Sequence, residues 1–417
     1  MTDGDFRDAL QIPDFRKLLI GRLFVTIAVQ IQGMVVGWQM YELTHNPLSL
    51  GMLGLSEAVP AIGVALYAGH VADRVDRRSI GLFAVTILGL AVGLLCLASR
   101  HFGDDPQLQY VMYGLVGITG FARGFYGPAI FGMVSDIVPR RLYGNAAAYN
   151  SATFQGSAMA GPILGGILYN MIKASNTYAV STVLLFCAFC LFLRVSSRSE
   201  KPEKKQDVSV VENIKEGLRF VFSQQIVLGA MAMDLFAVLF GGTVAMLPIF
   251  AKEIFHMGPE ALGALRAAPS IGALVSATLL TKFPITHNTG RVFMAVVAGF
   301  GICMIGFGLS TNFYLSLVLL GISGALDGVS VWVRSTIYQL ITPNDMKGRI
   351  AAVNSMFIGS SNEIGEFESG VTAKFMGLIP SVIFGGCMTL LVVLFTSVKA
   401  PKLRDLQMHE LYQTEEV

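Results

Sequence analysis

Asp234, Asp327, Glu363 and Glu366 stand in stretches of the chain that are otherwise apolar, as do Glu57, Arg123, Arg266 and Arg334. A charged side chain held in hydrocarbon costs about 2.5–3.5 kcal/mol on insertion scales, so each such position asks for a role. A carboxylate in that setting is suited to carry a proton. Glu363 and Glu366 are three residues apart and share a helix face, and two close carboxylates in an apolar medium do not both ionise. Glu368 is turned from Glu366 by about 200° at 3.6 residues per turn. Arg123 supplies opposite charge to Asp234 and Asp327, and Arg266 and Arg334 are candidate partners of the glutamates. Proton uptake would weaken such a pair and shift the balance between two conformations. A permanent ion pair that only orders the helices is the other reading of the same residues.

An internal repeat organises these positions. The segment from Asp136 to Ser151 (DIVPRRLYGNAAAYNS) is echoed from Leu340 to Ser355, with Pro139 matching Pro343, Gly144 matching Gly348 and Asn150-Ser151 matching Asn354-Ser355, 204 positions on. Two copies of one unit in an apolar chain are a pattern of membrane transporters. The same offset sets Arg123-Gly124 against Asp327-Gly328, and Gln30 against Asp234.

Hydrophobic residues make up 53% of the 417 residues and charged residues only 14%, against about 25% charged in a water-soluble domain. Approximate spans are 18–42, 48–71, 79–99, 108–134, 145–170, 177–195, 225–251, 259–281, 291–310, 313–340, 349–374 and 378–398, each long enough for a hydrocarbon core of about 30 Å. The expected fold is therefore an all-α integral membrane protein of twelve transmembrane helices in two six-helix bundles, 1–197 and 225–417. A cytoplasmic linker, 198–224, joins them. With the N-terminus inside, inside segments hold 22 of the 30 Lys and Arg, which orients both termini to the cytoplasm. No cleavable signal peptide is visible at the start. In the linker, Val211, Ile214, Leu218, Val221 and Phe222 form one stripe; the helix they predict lies on the membrane surface or packs beneath the bundle.

Other chemistries have little support. There is no P-loop, HExxH, GxSxG or paired CxxC pattern, so neither an enzyme nor a metal site or cofactor is expected. The six His are scattered, and the five Cys fall in or near spans as small buried hydrophobes. A net charge of +2 gives no case for nucleic acid. The lipid bilayer and a small-molecule substrate are the expected partners, and the chain is expected to act as a monomer.

The loop after the second span, Gly69-x-x-x-Asp73-Arg74-x-x-Arg77-Arg78, interleaves acids with the arginines that retention inside requires. It reads as an ion-pair network that opens and closes, with Asp136 near the end of the fourth span. This loop resembles the signature of the major facilitator superfamily between its second and third helices, although Asp76 stands where Gly is usual. Arg123-x-x-x-Gly127 resembles a signature of proton-coupled members. Gly156, Gly161-Pro162 and Gly165-Gly166 resemble the fifth-helix motif of antiporters that export drugs; ordinary tight packing is the other reading. The Asp14-Phe15-Arg16-Lys17-Leu18 start and the Val138-Pro139 cassette are most similar to the bacterial branch of enterobactin exporters. The resemblance implies that helices one, four, seven and ten line a cavity, with Gln30, Phe125, Tyr126, Phe236 and Phe240 as candidate substrate contacts. Trp38 and Trp332 near span ends are equally suited to interfacial anchoring. It also implies that Glu57 approaches Glu363 and Glu366. The expected activity is proton-coupled export of an amphipathic small molecule, a siderophore or a drug, across the inner membrane. Import of a nutrient, siderophore or lipid is the alternative within transport, and a membrane sensor or scaffold the alternative outside it.

Overall fold

The computed structural model describes residues 8–196, 210–343 and 346–409, and its long elements there are all helices. In chain order these are α1 (Pro13–Thr44), α2 (Pro47–Arg74), α3 (Arg77–Phe102), α4 (Leu108–Ile137), α5 (Tyr143–Leu193), α6 (Val210–Ser223), α7 (Gln225–Gly241), α8 (Pro259–Lys282), α9 (Thr289–Leu309), α10 (Phe313–Ile341), α11 (Lys347–Met376), α12 (Leu378–Lys399) and the short α13 (Pro401–Arg404). Linker residues 198–209 lie outside the described part.

Nine helical stretches among the described residues are long and apolar enough to cross a membrane. One of them, α5, is interrupted at Lys173, where φ is 65° and ψ is 171°, and so supplies two crossings. Arg100 grips the chain just after the break, donating to Ser175 Oγ at 2.9 Å and to Asn176 Oδ1 at 2.8 Å. α4 and α11 are 30 residues each. They carry Arg123 and Asp136, and Glu363, Glu366 and Glu368, respectively. With them the described residues make twelve crossings, six before α6 and six after it.

By contacts the chain forms two compact units. The first holds the chain up to His45, from Leu55 into the central stretch, and Met257–Ala267; the second holds Asn46–Gly54, the chain from Val208 to His256, and everything from Ala268 on. Close backbone approach explains both displaced segments. Gly51 lies on Gly370 of α11, and Gly54 on the Glu366 side chain. In the first unit, a Cβ on Gly166 would meet the Pro259 carbonyl at 2.5 Å, and one on Gly263 would collide with the Pro162 carbonyl. α6 belongs to the second unit: Gly217 rests on Val353 and Arg349, Glu216 pairs with Arg349, and Val221 is buried with Val227, Met231, Ile350 and Val353.

One contact is built twice. In the first unit Gly117, Gly120 and Gly124 set α4 directly on the α2 backbone at Ser56, Glu57 and Ala61. In the second, Gly321, Gly324 and Gly328 set α10 on α8 at Ala268, Pro269 and Ala273. The glycines correspond at the 204 offset of the repeat. A Cβ on Gly120 would collide with the Glu57 carbonyl, and one on Gly324 with that of Pro269. Apolar side chains gain little by leaving lipid for a helix interface, so such close approach is what holds helices together.

Gly120→Val and Gly324→Val should therefore each lower the melting temperature of the detergent-solubilised protein, since overpacking against backbone costs about 1–3 kcal/mol or more. Gly156, which has nothing within 4 Å of its Cβ direction, is the control. Gly156→Ala should melt within a degree or two of the parent, and equal melting of all three variants would refute this account of the crossings.

Candidate functional site

In the second unit, the seventh crossing breaks where it meets a cavity. α7 ends at Gly241; Gly242 leaves helical geometry at φ −75°, ψ 84°, and short 3-10 and π turns continue the crossing to Ile254. The Gly242 carbonyl, freed from the helix, accepts from Ser369 Oγ at 2.7 Å. Consecutive glycines are a recognised cause of such a break, and interrupted crossings line binding sites in transporters. The cavity has a volume of about 190 Å³, and its walls include Asp234, Thr243, Phe300, Met304, Asp327 and Asn362.

Three charges meet at one side of it. Arg334 lies two turns beyond Asp327 on α10, and so on the same face. It forms an ion pair with Asp234 of α7, and its Nη2 is 4.0 Å from Asp327 Oδ1. The side chains of Arg334 and Asp234 are 6% and 9% exposed, whereas that of Asp327 is 48% exposed. One acid is thus closed into a buried pair and the other faces the cavity. The group carries one net negative charge with both acids ionised. Arg334 can exchange partners with a small movement of its fork.

The first unit holds a different pair. Arg123 on α4 pairs with Glu57 on α2, brought together by the glycine crossing at Gly120. The corresponding contact in the second unit has Asp327 in place of Arg123 and Pro269 in place of Glu57. No acid on α8 opposes Asp327 there.

Several sequence expectations are corrected. Inside the first unit Arg123 pairs with Glu57, which backbone contact holds beside it. Arg334 serves Asp234 and Asp327, not the glutamates of α11, because it shares the face of Asp327. Glu57 was expected near Glu363 and Glu366, and α2 does lie on α11: Gly51 meets Gly370, and Gly54, one turn before Glu57, meets the Glu366 side chain and the Glu363 carbonyl. Phe125 is a core residue, 7% exposed among Ile80, Ala84 and Ala129. Phe236 and Phe240 stack on each other, with ring centroids 6.3 Å apart. The aromatic ring in the wall is Phe300 of α9, a helix that the family resemblance does not place at the cavity. Its only sequence signal is the pair of glycines flanking it.

The remaining residues are placed as follows. Arg266 lies beside Gly33 of α1, its Nη1 3.8 Å from the Cβ direction. Gln30 packs over Gly161, and Gly165 sits on Ile31 and Met34. Pro162 is buried, so these fifth-helix residues serve close packing, while Gly156 faces open space. In the loop, Arg77 donates to Asp136 Oδ1 at 2.5 Å, Ser135 Oγ at 3.1 Å and the Gly132 carbonyl at 3.2 Å. Arg78 caps the end of α5, donating to the carbonyls of Phe192 and Leu193. Asp76 caps α3 by accepting from Ser79 N at 3.0 Å, at a φ of −52° that needs no glycine. The side chains of Gly69, Asp73 and Arg74 lie outside the described residues. Among the described residues, no group of three or more His, Cys, Asp or Glu is arranged to hold a metal ion.

The profile of a family described as "Transmembrane secretion effector" matches residues 8–416. "Enterobactin exporter EntS" of Citrobacter koseri is 25% identical over 342 residues, covering 81% of this chain and 80% of the relative. "Uncharacterized MFS-type transporter YfiS" of Bacillus subtilis is 22% identical over 369 residues, covering 85% of each. Among solved structures, a D-xylose-proton symporter superposes with a TM-score of 0.73 at 15% identity, over 96% of this chain and all of that one; at that identity the likeness concerns the fold. The chain belongs to the transmembrane secretion effector family of the major facilitator superfamily, as a multi-pass membrane transporter and not an enzyme.

Proposed function

We propose that this transporter exports an amphipathic small molecule, of the siderophore class or drug-like, across the cytoplasmic membrane in exchange for protons. It works by alternating access as a monomer with both termini in the cytoplasm. The observation that carries the reading is the partner choice of Arg334, which is closed on Asp234 while Asp327 stands 4.0 Å away on the cavity. A proton on Asp234 releases Arg334 to Asp327. A proton on Asp327 leaves the Asp234 pair as the only attraction. The first step moves the guanidinium from the acid of α7 to that of α10 and the second locks it on α7, and a buried two-way contact of this kind biases two conformations. The named relative exports enterobactin, which supports an outward direction and a siderophore-like substrate. Arg77 with Asp136 ties the start of α3 to the end of α4, a contact suited to hold one closed state.

In everted membrane vesicles with an acid interior, enterobactin should accumulate inside and be lost on adding a protonophore. Accumulation confined to right-side-out vesicles would overturn export. Asp327→Asn should reduce gradient-driven accumulation by about tenfold, a 1.4 kcal/mol shift in the balance of states, and an unchanged rate would remove Asp327 from coupling. Removing one member of a buried ion pair costs about 3–5 kcal/mol unless another partner takes over. Asp234→Asn alone should therefore lower the melting temperature less than expected, because Asp327 receives Arg334. The double variant with Asp327→Asn should lower it by more than the sum of the single changes; simple additivity would refute the exchange of partners. Asp136→Asn should slow turnover severalfold at unchanged substrate affinity, since it loosens one state without touching the cavity.

A further inference from the structure

Arg22 is a membrane-embedded cation that the mechanism above does not use. It lies nine residues into α1, and its side chain turns toward the bundle, where Nη1 donates to Asn150 Oδ1 at 2.9 Å. Among the described residues no carboxylate lies within ion-pair reach of it. One of its five N–H groups is occupied by Asn150, and the amide nitrogen of Asn150 remains as a further donor. The hydroxyl of Tyr126 on α4 is buried without a hydrogen-bond partner, and Arg22 is the charge that acts on it. A guanidinium hydrogen-bonded to an amide thus lies within electrostatic reach of an unsatisfied phenol hydroxyl in the first unit, and among the described residues no carboxylate pairs with it. A snorkelling arginine would instead point outward to the headgroups.

The same face of α1 continues as a polar stripe. Thr26 and Gln30 follow Arg22 at four-residue steps, and Gly33 comes next with the Arg266 guanidinium beside it. All four α1 positions are partly exposed, while Phe15, Leu18, Gly21, Val25 and Ala28 on the other faces are buried. The stripe spans about 16 Å at 1.5 Å per residue, with a cation at each end.

We propose that Arg22, Tyr126 and Asn150 form a binding subsite for the anionic head of an amphipathic aromatic substrate, a carboxylate or a phenolate. The charged fork of Arg22 would hold the anion, and the Tyr126 hydroxyl and Asn150 amide would complete its hydrogen bonds. The substrate class rests on the export reading; the anion chemistry of the subsite does not.

Salicylate and its uncharged counterpart salicylamide separate the possibilities on the purified full-length protein, by calorimetric titration in a neutral detergent. Salicylate should bind saturably and salicylamide at least about tenfold more weakly, because a charge-assisted pair is lost. Arg22→Gln should weaken salicylate by about tenfold and erase the preference over salicylamide, whereas Arg22→Lys should keep most of it. Tyr126→Phe should weaken salicylate severalfold yet raise the melting temperature of the ligand-free protein, since it removes a buried hydroxyl without a partner. A purely structural tyrosine would not give those opposite signs. Equal affinity for the two compounds, or unchanged salicylate binding in a folded Arg22→Gln protein, would overturn the proposal. So would loss of tightly bound lipid phosphate alone in that variant, which would make Arg22 a lipid anchor. Because the titration involves no gradient and no direction, it can fail while vesicle export succeeds, and succeed while export fails.

Discussion

The structure depends on backbone meeting backbone. At two crossings, α4 on α2 and α10 on α8, three glycines of one helix let its main chain approach the backbone of the other. In water such an interface would be poor, since glycine buries little apolar surface. In lipid, where apolar side chains gain little by association, close approach brings dispersion contacts over a long line and fixes the helices with small tolerance. The same economy recurs where Gly51 meets Gly370, and where the Gly165-Gly166 pair meets Ile31 and Pro259. A chain with 45 glycines uses a large part of them as contact surface, not as hinges.

That constraint sets the electrostatics. Because the two crossings are equivalent, what differs between them is chemistry at matched positions. In the first unit the crossing holds Glu57 beside Arg123, and the charges cancel locally. In the second, Asp327 replaces the arginine and Pro269 replaces the acid. Asp327 then has no opposite charge across the crossing and turns to the cavity, where Arg334 reaches it along its own helix. The Asp234–Arg334 pair is buried, and a pair of that kind is weak evidence for stability but suits a switch between states. Its position at a broken crossing, with the Gly242 carbonyl satisfied by Ser369, keeps the backbone polar groups paired where the helix gives way. Such satisfaction is required of irregular backbone at membrane depth.

The helix ends are organised by arginine in another role. Arg77 and Arg78 reach the last turns of α4 and α5, where unpaired carbonyls and the helix dipole favour a cation. Arg349 holds α6 against α11 through Glu216. In the second unit the segment after α13 folds back on the start of α9: Gly290 N donates to the Leu406 carbonyl at 3.1 Å, and Leu403 and Met408 are fully buried. The basic residues that orient a membrane protein also serve here as caps and ties between helix ends.

The sequence by itself determined the membrane class, the twelve crossings, the duplication and the family. These depend on local composition, on length and on a repeat, none of which requires knowing what touches what. It also marked the charges that matter, since an ionisable residue in an apolar run is visible without a structure. It could not assign their partners. Inside the first unit Arg123 pairs with Glu57 because a glycine crossing brings α2 within reach. Phe125 read as a cavity residue and is core, whereas Phe300, which no sequence pattern marked, is in the wall. Arg22 lies in an apolar run of α1, and only its hydrogen bond to Asn150 sets it apart. Which residues meet across helices depends on rotation and on depth of approach, and these are set by small residues scattered along several helices at once. Only the tertiary structure decides them.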